Sequence, residues 1–194
     1  MFENLRKKPV VAAPAAVSST RFIPKSPEAE LAQELLCSAP LLAPFTAHEA
    51  AVLVRQMSVL RFKAGEMLLR EGDSVNTAYL LMLLDGDATA ETLAVSREKP
   101  MTMTVLEPGA VLGEMGLLDG APRSVSCRAD TDVLCASLTR AAVLQLTEHA
   151  PIVAAKLMML VSSRLTLRLR DNTEKLRLYV QLVQAMQGEI DKMA

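Results

Sequence analysis

The sequence predicts a mainly β protein with flanking helices: an antiparallel, jelly-roll-like β-roll followed by a long C-terminal helix. Three observations carry that expectation. Between Ser58 and Ser137 the chain breaks into short β-type segments at Ala64-Gly65-Glu66, Glu71-Gly72-Asp73, Asp85-Gly86-Asp87 and Glu107-Pro108-Gly109. These marks lie about one strand and one turn apart, the rhythm of an antiparallel roll, sandwich or barrel. Helical patterning flanks the region on both sides. Beyond it, Leu165, Leu169, Asn172, Leu176, Tyr179, Val183, Met186 and Ile190 alternate at steps of four and three, the a/d stripe of a coiled coil.

The elements follow in order. Residues 1–27 hold Pro9, Pro14, Pro24 and Pro27, which remove amide donors and interrupt helix or strand, so this stretch reads as a flexible tail. Phe2, Leu5, Phe22 and Ile23 within it leave open a short docking motif for a partner. Glu28 to Cys37 reads as a short helix. Thr46-Ala47-His48-Glu49 has capping-box spacing and opens a helix to about Gln56. Ala78 to Leu84 is a continuous apolar run, expected as a strand buried on both faces. A short helix over about 139–148 stops near Pro151, and the long one runs on to about 190. The domain expectation is a tail over 1–27, a roll with flanking helices over 28–148, and a coiled-coil helix over 149–194.

The 194 residues suffice for one domain with extensions. Apolar residues make up 51% and charged residues 22%, with net charge -1. That balance suits a globular protein and lacks the basic excess that nucleic-acid or membrane surfaces attract. Aromatic residues at 3% leave few stacking platforms for single-stranded nucleic acid. Cys37, Cys127 and Cys135 are an odd set in apolar surroundings, and they read as buried thiols in a reducing compartment. His48 and His149 have no cysteine near them in sequence, so no zinc spacing and no metal site is expected. No signal peptide or membrane span is evident, which points to the cytoplasm. The chain offers no P-loop, Gly-x-Ser-x-Gly or metal motif, so no catalytic residues are expected.

The informative stretch is Leu112-Gly113-Glu114-Met115-Gly116-Leu117-Leu118-Asp119-Gly120-Ala121-Pro122-Arg123-Ser124-Val125-Ser126. A cyclic phosphodiester carries one negative charge, which calls for an arginine and amide donors at a helix start. Its ribose hydroxyl calls for a carboxylate acceptor, and close backbone approach calls for glycine. Gly113 can end a strand, and Glu114 to Leu118 can form a short helix with free amides, Met115 among them. Glu114 can take the hydroxyl, Arg123 the phosphate, and Ser124 can add a hydroxyl or amide donor.

Gly-Glu-x-x-Leu followed by Pro-Arg-Ser-x-Ser resembles the phosphate-binding cassette of cyclic-nucleotide-binding domains, as in catabolite-activator-type regulators. The resemblance extends over about residues 40–180. It takes in Phe62-Lys63-Ala64-Gly65-Glu66, Arg70-Glu71-Gly72-Asp73, Tyr79 through Gly86, and Leu106-Glu107-Pro108-Gly109. Leu112 stands where the family often has an aromatic, and Val125 where alanine is common. The resemblance implies a cAMP or cGMP ligand rather than a bound cofactor. Cyclic di-GMP is the alternative, with Arg97 and Arg128 as candidates for its second phosphate; a ligand-free dimeric adaptor is the other.

The heptad stripe predicts a two-stranded parallel homodimer. Asn172 in it reads as a register-setting core residue, and by resemblance Asn172 and Thr173 occupy the places that touch the purine. Arg164, Arg168, Arg170 and Arg177 read as a solvated or salt-bridging face. The family's transcription factors continue into a winged helix-turn-helix, for which this sequence leaves no room after the long helix. The expectation is therefore a bacterial cytoplasmic homodimer that binds a cyclic nucleotide and signals through an unidentified effector protein, with no nucleic acid, membrane or catalysis involved.

Overall fold

A computed structural model of the chain describes residues 20–40, 42–75, 77–92 and 101–193. The tail before Thr20, with Phe2 and Leu5, and Arg97 lie outside the described residues. Nine strands form two antiparallel sheets among the described residues. The larger has the order β1-β2-β9-β4-β7, from Thr20–Arg21, Ser58–Phe62, Val133–Thr139, Tyr79–Asp85 and Val111–Leu112. The smaller has the order β3-β8-β5-β6, from Met67–Leu69, Ser126–Ala129, Ala88–Thr92 and Met101–Leu106. Helices α1 (Pro27–Cys37), α2 (Ala47–Val54), α4 (Arg140–His149) and the start of α5 (Pro151–Met193) cover the larger sheet, and α3 (Glu114–Asp119) sits after β7. This is the expected β-roll with its long C-terminal helix.

The side-chain period of two explains why β4 is apolar throughout. Leu80, Met82 and Leu84 point to the helices and share a core with Leu53, Leu157 and Val161. Leu81 and Leu83 point the other way and pack with Phe62, Leu68 and Cys135 between the sheets. The central strand therefore serves two cores at once.

Two boundaries shift from the sequence expectation. The end of the supposed tail is ordered: Thr20 pairs with Val59 and Arg21 with Ser58, and Phe22 is buried in the helix-side core. Ser26 then caps α1, its side chain accepting from the Ala29 amide with Pro27 in the first turn. A strand of two residues is too short to leave a periodic signal, and the prolines around it are the stronger local mark. At the other end, Val153, Ala154, Leu157, Leu160 and Val161 of α5 are buried in the roll's own core. A domain boundary at 149 would cut through that core. Only the later turns of α5 project from it.

Candidate functional site

Strand β7 ends at Leu112, and the chain turns through Gly113 into α3. Gly113 has φ 73°, a backbone conformation that calls for glycine, and a Cβ there would also displace the Nη1 end of the Arg123 side chain. Gly120, with φ 75°, closes α3 through its amide to the Gly116 carbonyl at 3.0 Å. The chain returns, and Arg123 is pinned by main-chain bonds: its amide donates to Asp73 and its carbonyl accepts from Gly72.

Gly113, Glu114, Met115, Arg123 and Ser124 all line one cleft, with Leu69, Gly116, Val125 and Arg168. Five of the seven site residues read from the sequence are thus brought together. Ser124 and Met115 are exposed, and the serine hydroxyl lies 3.8 Å from the Met115 sulfur. Asn172 and Thr173 are not among the lining residues of a single chain. Both are exposed on α5, and the Thr173 hydroxyl donates to the Leu169 carbonyl one turn back at 2.8 Å.

The two charged groups are both buried and do not pair with each other. Glu114 is 1% exposed, and its Oε1 accepts from Nη1 of Arg168 at 2.6 Å. Its Oε2 is buried with no hydrogen-bond partner among the described residues. A buried carboxylate oxygen without a donor is costly, by about 1–3 kcal/mol, and such a group calls for a specific explanation. Arg123 is 6% exposed, donating from Nη1 to the Gly113 carbonyl at 2.8 Å and from Nη2 to the Tyr79 carbonyl at 3.1 Å. Its guanidinium also stacks on the Tyr79 ring, 4.5 Å from the centroid.

The cleft is narrow, with about 20 Å³ of accessible space, room for roughly one water. Small-molecule sites span about 300 Å³ or more. Arg123 and Arg168 both line it, and admission of a nucleotide requires side chains around it to move.

Arg168 and Tyr79 were not foreseen in the sequence as parts of the site. The arginines of α5 read as a solvated or inter-helix salt-bridging face, and Arg168 does make an ion pair, with Glu114 of α3 in the cleft, while Arg164 donates to the Gly109 carbonyl at 3.3 Å. The available signal was physical: a buried Glu114 demands a cation, and Arg168 lies one helical turn before Asn172. Elsewhere, burial pushes the thiols of Cys127 and Cys135 up to about 12. They are core hydrophobes at neutral pH.

Residues 59–150 match the family model for the cyclic nucleotide-binding domain. This chain carries a cyclic nucleotide-binding domain. A regulatory subunit of the cAMP-dependent protein kinase from Emericella nidulans is 35% identical over 101 residues, covering 52% of this chain and 23% of that protein. A cyclic nucleotide-binding domain from Methylobacillus flagellatus is similar in structure, with TM-score 0.69 and 29% identity, over 76% of this chain and 81% of that one. The catabolite activator protein of Thermus thermophilus gives a TM-score of 0.58 at 28% identity, over 71% of this chain and 60% of that one. The domain is a regulatory fold. No described helix is long and apolar enough to cross a membrane.

Proposed function

We propose that this chain is a receptor for a cyclic mononucleotide, cAMP or cGMP, acting in the cytoplasm as a homodimer that signals to a partner protein. The observation that carries the reading is the unpartnered Oε2 of Glu114, whose Oε1 is held by Arg168, in the same cleft as Arg123. A ribose 2'-hydroxyl would donate to that oxygen while Oε1 keeps its bond to Arg168. A cyclic phosphate would draw Arg123 from the carbonyls of Gly113 and Tyr79, trading two neutral acceptors for an anion, which makes the stronger bond. Gly113 leaves the backbone bare where the sugar-phosphate must approach. The regulatory subunit of the cAMP-dependent protein kinase that this chain resembles supports the same ligand class.

Cyclic di-GMP is less well served. Arg128, the described candidate for its second phosphate, donates to the Gly65 carbonyl at 3.0 Å and lies 3.9 Å from the Glu91 carboxylate. Two guanidiniums line the cleft, and Arg168 is bonded to Glu114, which leaves Arg123 for the single phosphate of a mononucleotide.

Isothermal titration with cAMP, cGMP and cyclic di-GMP tests the proposal. Saturable heat with one of the first two is expected. At a ligand concentration a hundred times Kd, the domain should also gain about 2.7 kcal/mol of stability. No heat and no thermal stabilisation at millimolar cAMP or cGMP would refute the receptor reading.

A further inference from the structure

We propose that Arg140 is a positioning residue that ties the cassette helix α3 to α4, so that the two move as one body. The inference rests on the receptor reading for its purpose, but its geometry stands apart from any ligand.

Helix α3 has six residues, too few to be stable alone, and Gly113 gives it no side-chain cap at its start. Its last carbonyls need donors from outside the helix. Arg140 supplies one and adds a second to another: Nε donates to the Leu117 carbonyl at 2.7 Å, and Nη2 donates at 3.0 Å to the Gly116 carbonyl, which also accepts from the Gly120 amide. The same residue is the first of α4, and its own amide donates to the Ala78 carbonyl at 2.8 Å. One residue therefore joins the end of α3, the segment entering β4 and the beginning of α4. Two carbonyls at one helix end suit the fixed fork of a guanidinium; a lysine ammonium at the end of a flexible stem is not matched to both.

The consequence lies in what a ligand would release. Arg123 now holds the first end of α3 through the Gly113 carbonyl. If a phosphate takes Arg123, that end is handed to the ligand, while Arg140 keeps its grip on the other. A shift of α3 then carries the first turn of α4 with it, and α4 packs against α5 through Leu146 in the shared core.

Amide hydrogen exchange on the whole chain tests the tie in wild type, Arg140→Lys and Arg140→Gln, first without nucleotide. In the Gln variant, exchange is expected to rise about tenfold at α3 and the first turn of α4 together, with the sheets unchanged and Lys intermediate. Unchanged exchange at α3, or a uniform rise across the sheets, would overturn the proposal, the latter by showing a merely structural role. With cAMP added, wild type should gain protection in both α3 and α4, and the Gln variant in α3 alone. Wild-type protection of α4 in the Gln variant would also overturn it. If wild type binds neither cAMP nor cGMP, the receptor reading fails while the nucleotide-free comparison still decides the tie.

Discussion

At the scale of single residues, Arg123 has two duties that a substitution separates. Arg123→Ala is expected to lower cAMP affinity at least about 100-fold, the order expected when one member of a buried charge pair is truncated. It also strips donors from the Gly113 and Tyr79 carbonyls, so urea denaturation should show a loss of about 1–3 kcal/mol. Wild-type affinity in that variant would remove the phosphate from this site. Arg168→Ala leaves Glu114 buried without its cation, and a loss of about 1–3 kcal/mol is expected by the same measurement. The half-exposed position of Arg168 keeps the effect below that of a fully enclosed pair. Gly113, Glu114 and Arg123 were legible because the chemistry of one ligand lies within eleven consecutive residues. Arg168 was hidden because its partner stands 54 residues away, and an arginine on a charged helix looks like any solvated one. The Tyr79 platform was hidden for the same reason, 44 residues from Arg123.

At the scale of elements, local signals are legible in the sequence and long-range attachments are not. The Thr46–Glu49 capping box forms as expected, with the Thr46 amide donating to Glu49 at 2.8 Å and the Glu49 amide to the Thr46 hydroxyl at 3.3 Å. What no local pattern disclosed is that the same carboxylate takes Lys156 of α5 at 2.7 Å, and that Lys156 also donates to the Pro44 carbonyl. The Lys156 hydrogen bond, then the Thr46 amide, hold the Glu49 carboxyl down to about 2. Its folded value lies below its unfolded one, so its contribution is fully present above about 4.5 and disappears as pH falls through about 2. Urea midpoints taken across that window should fall with acid in wild type and fall less in Lys156→Met. Equal slopes would mean that the bond does not hold α5 to α2. Turns behave similarly. Gly86 has φ 82°, and a Cβ there would meet the Asp132 carbonyl oxygen. Gly86→Ala is expected to cost about 1–3 kcal/mol from backbone strain, with the clash in addition.

At the scale of the whole molecule, the open question in the architecture is what covers the far half of α5. Leu165 packs on the roll, but Leu169, Leu176, Tyr179, Val183 and Met186 on the same stripe are each more than half exposed. The stripe continues the helix face that the roll covers, and its spacing of four and three is what a second identical helix fills by knobs-into-holes packing. A homodimer joined there would set Asn172 in the seam and bring Thr173 of each chain toward the cleft region of the pair, where the resemblance places base contacts. Light scattering after size exclusion should then give the mass of two chains. Leu176→Glu with Val183→Glu should give one chain, with the roll still folded by circular dichroism. The base-contact assignment makes a sharper demand. The dissociated variant should lose part of its cAMP affinity although no cleft residue has changed, and Asn172→Ala in the intact dimer should shift the ratio of cAMP to cGMP affinity. A monomeric wild type at micromolar concentration would end the dimer proposal. A dimer whose nucleotide preference ignores Asn172 and Thr173 would leave those residues the task of setting register alone, with discrimination confined to phosphate and sugar.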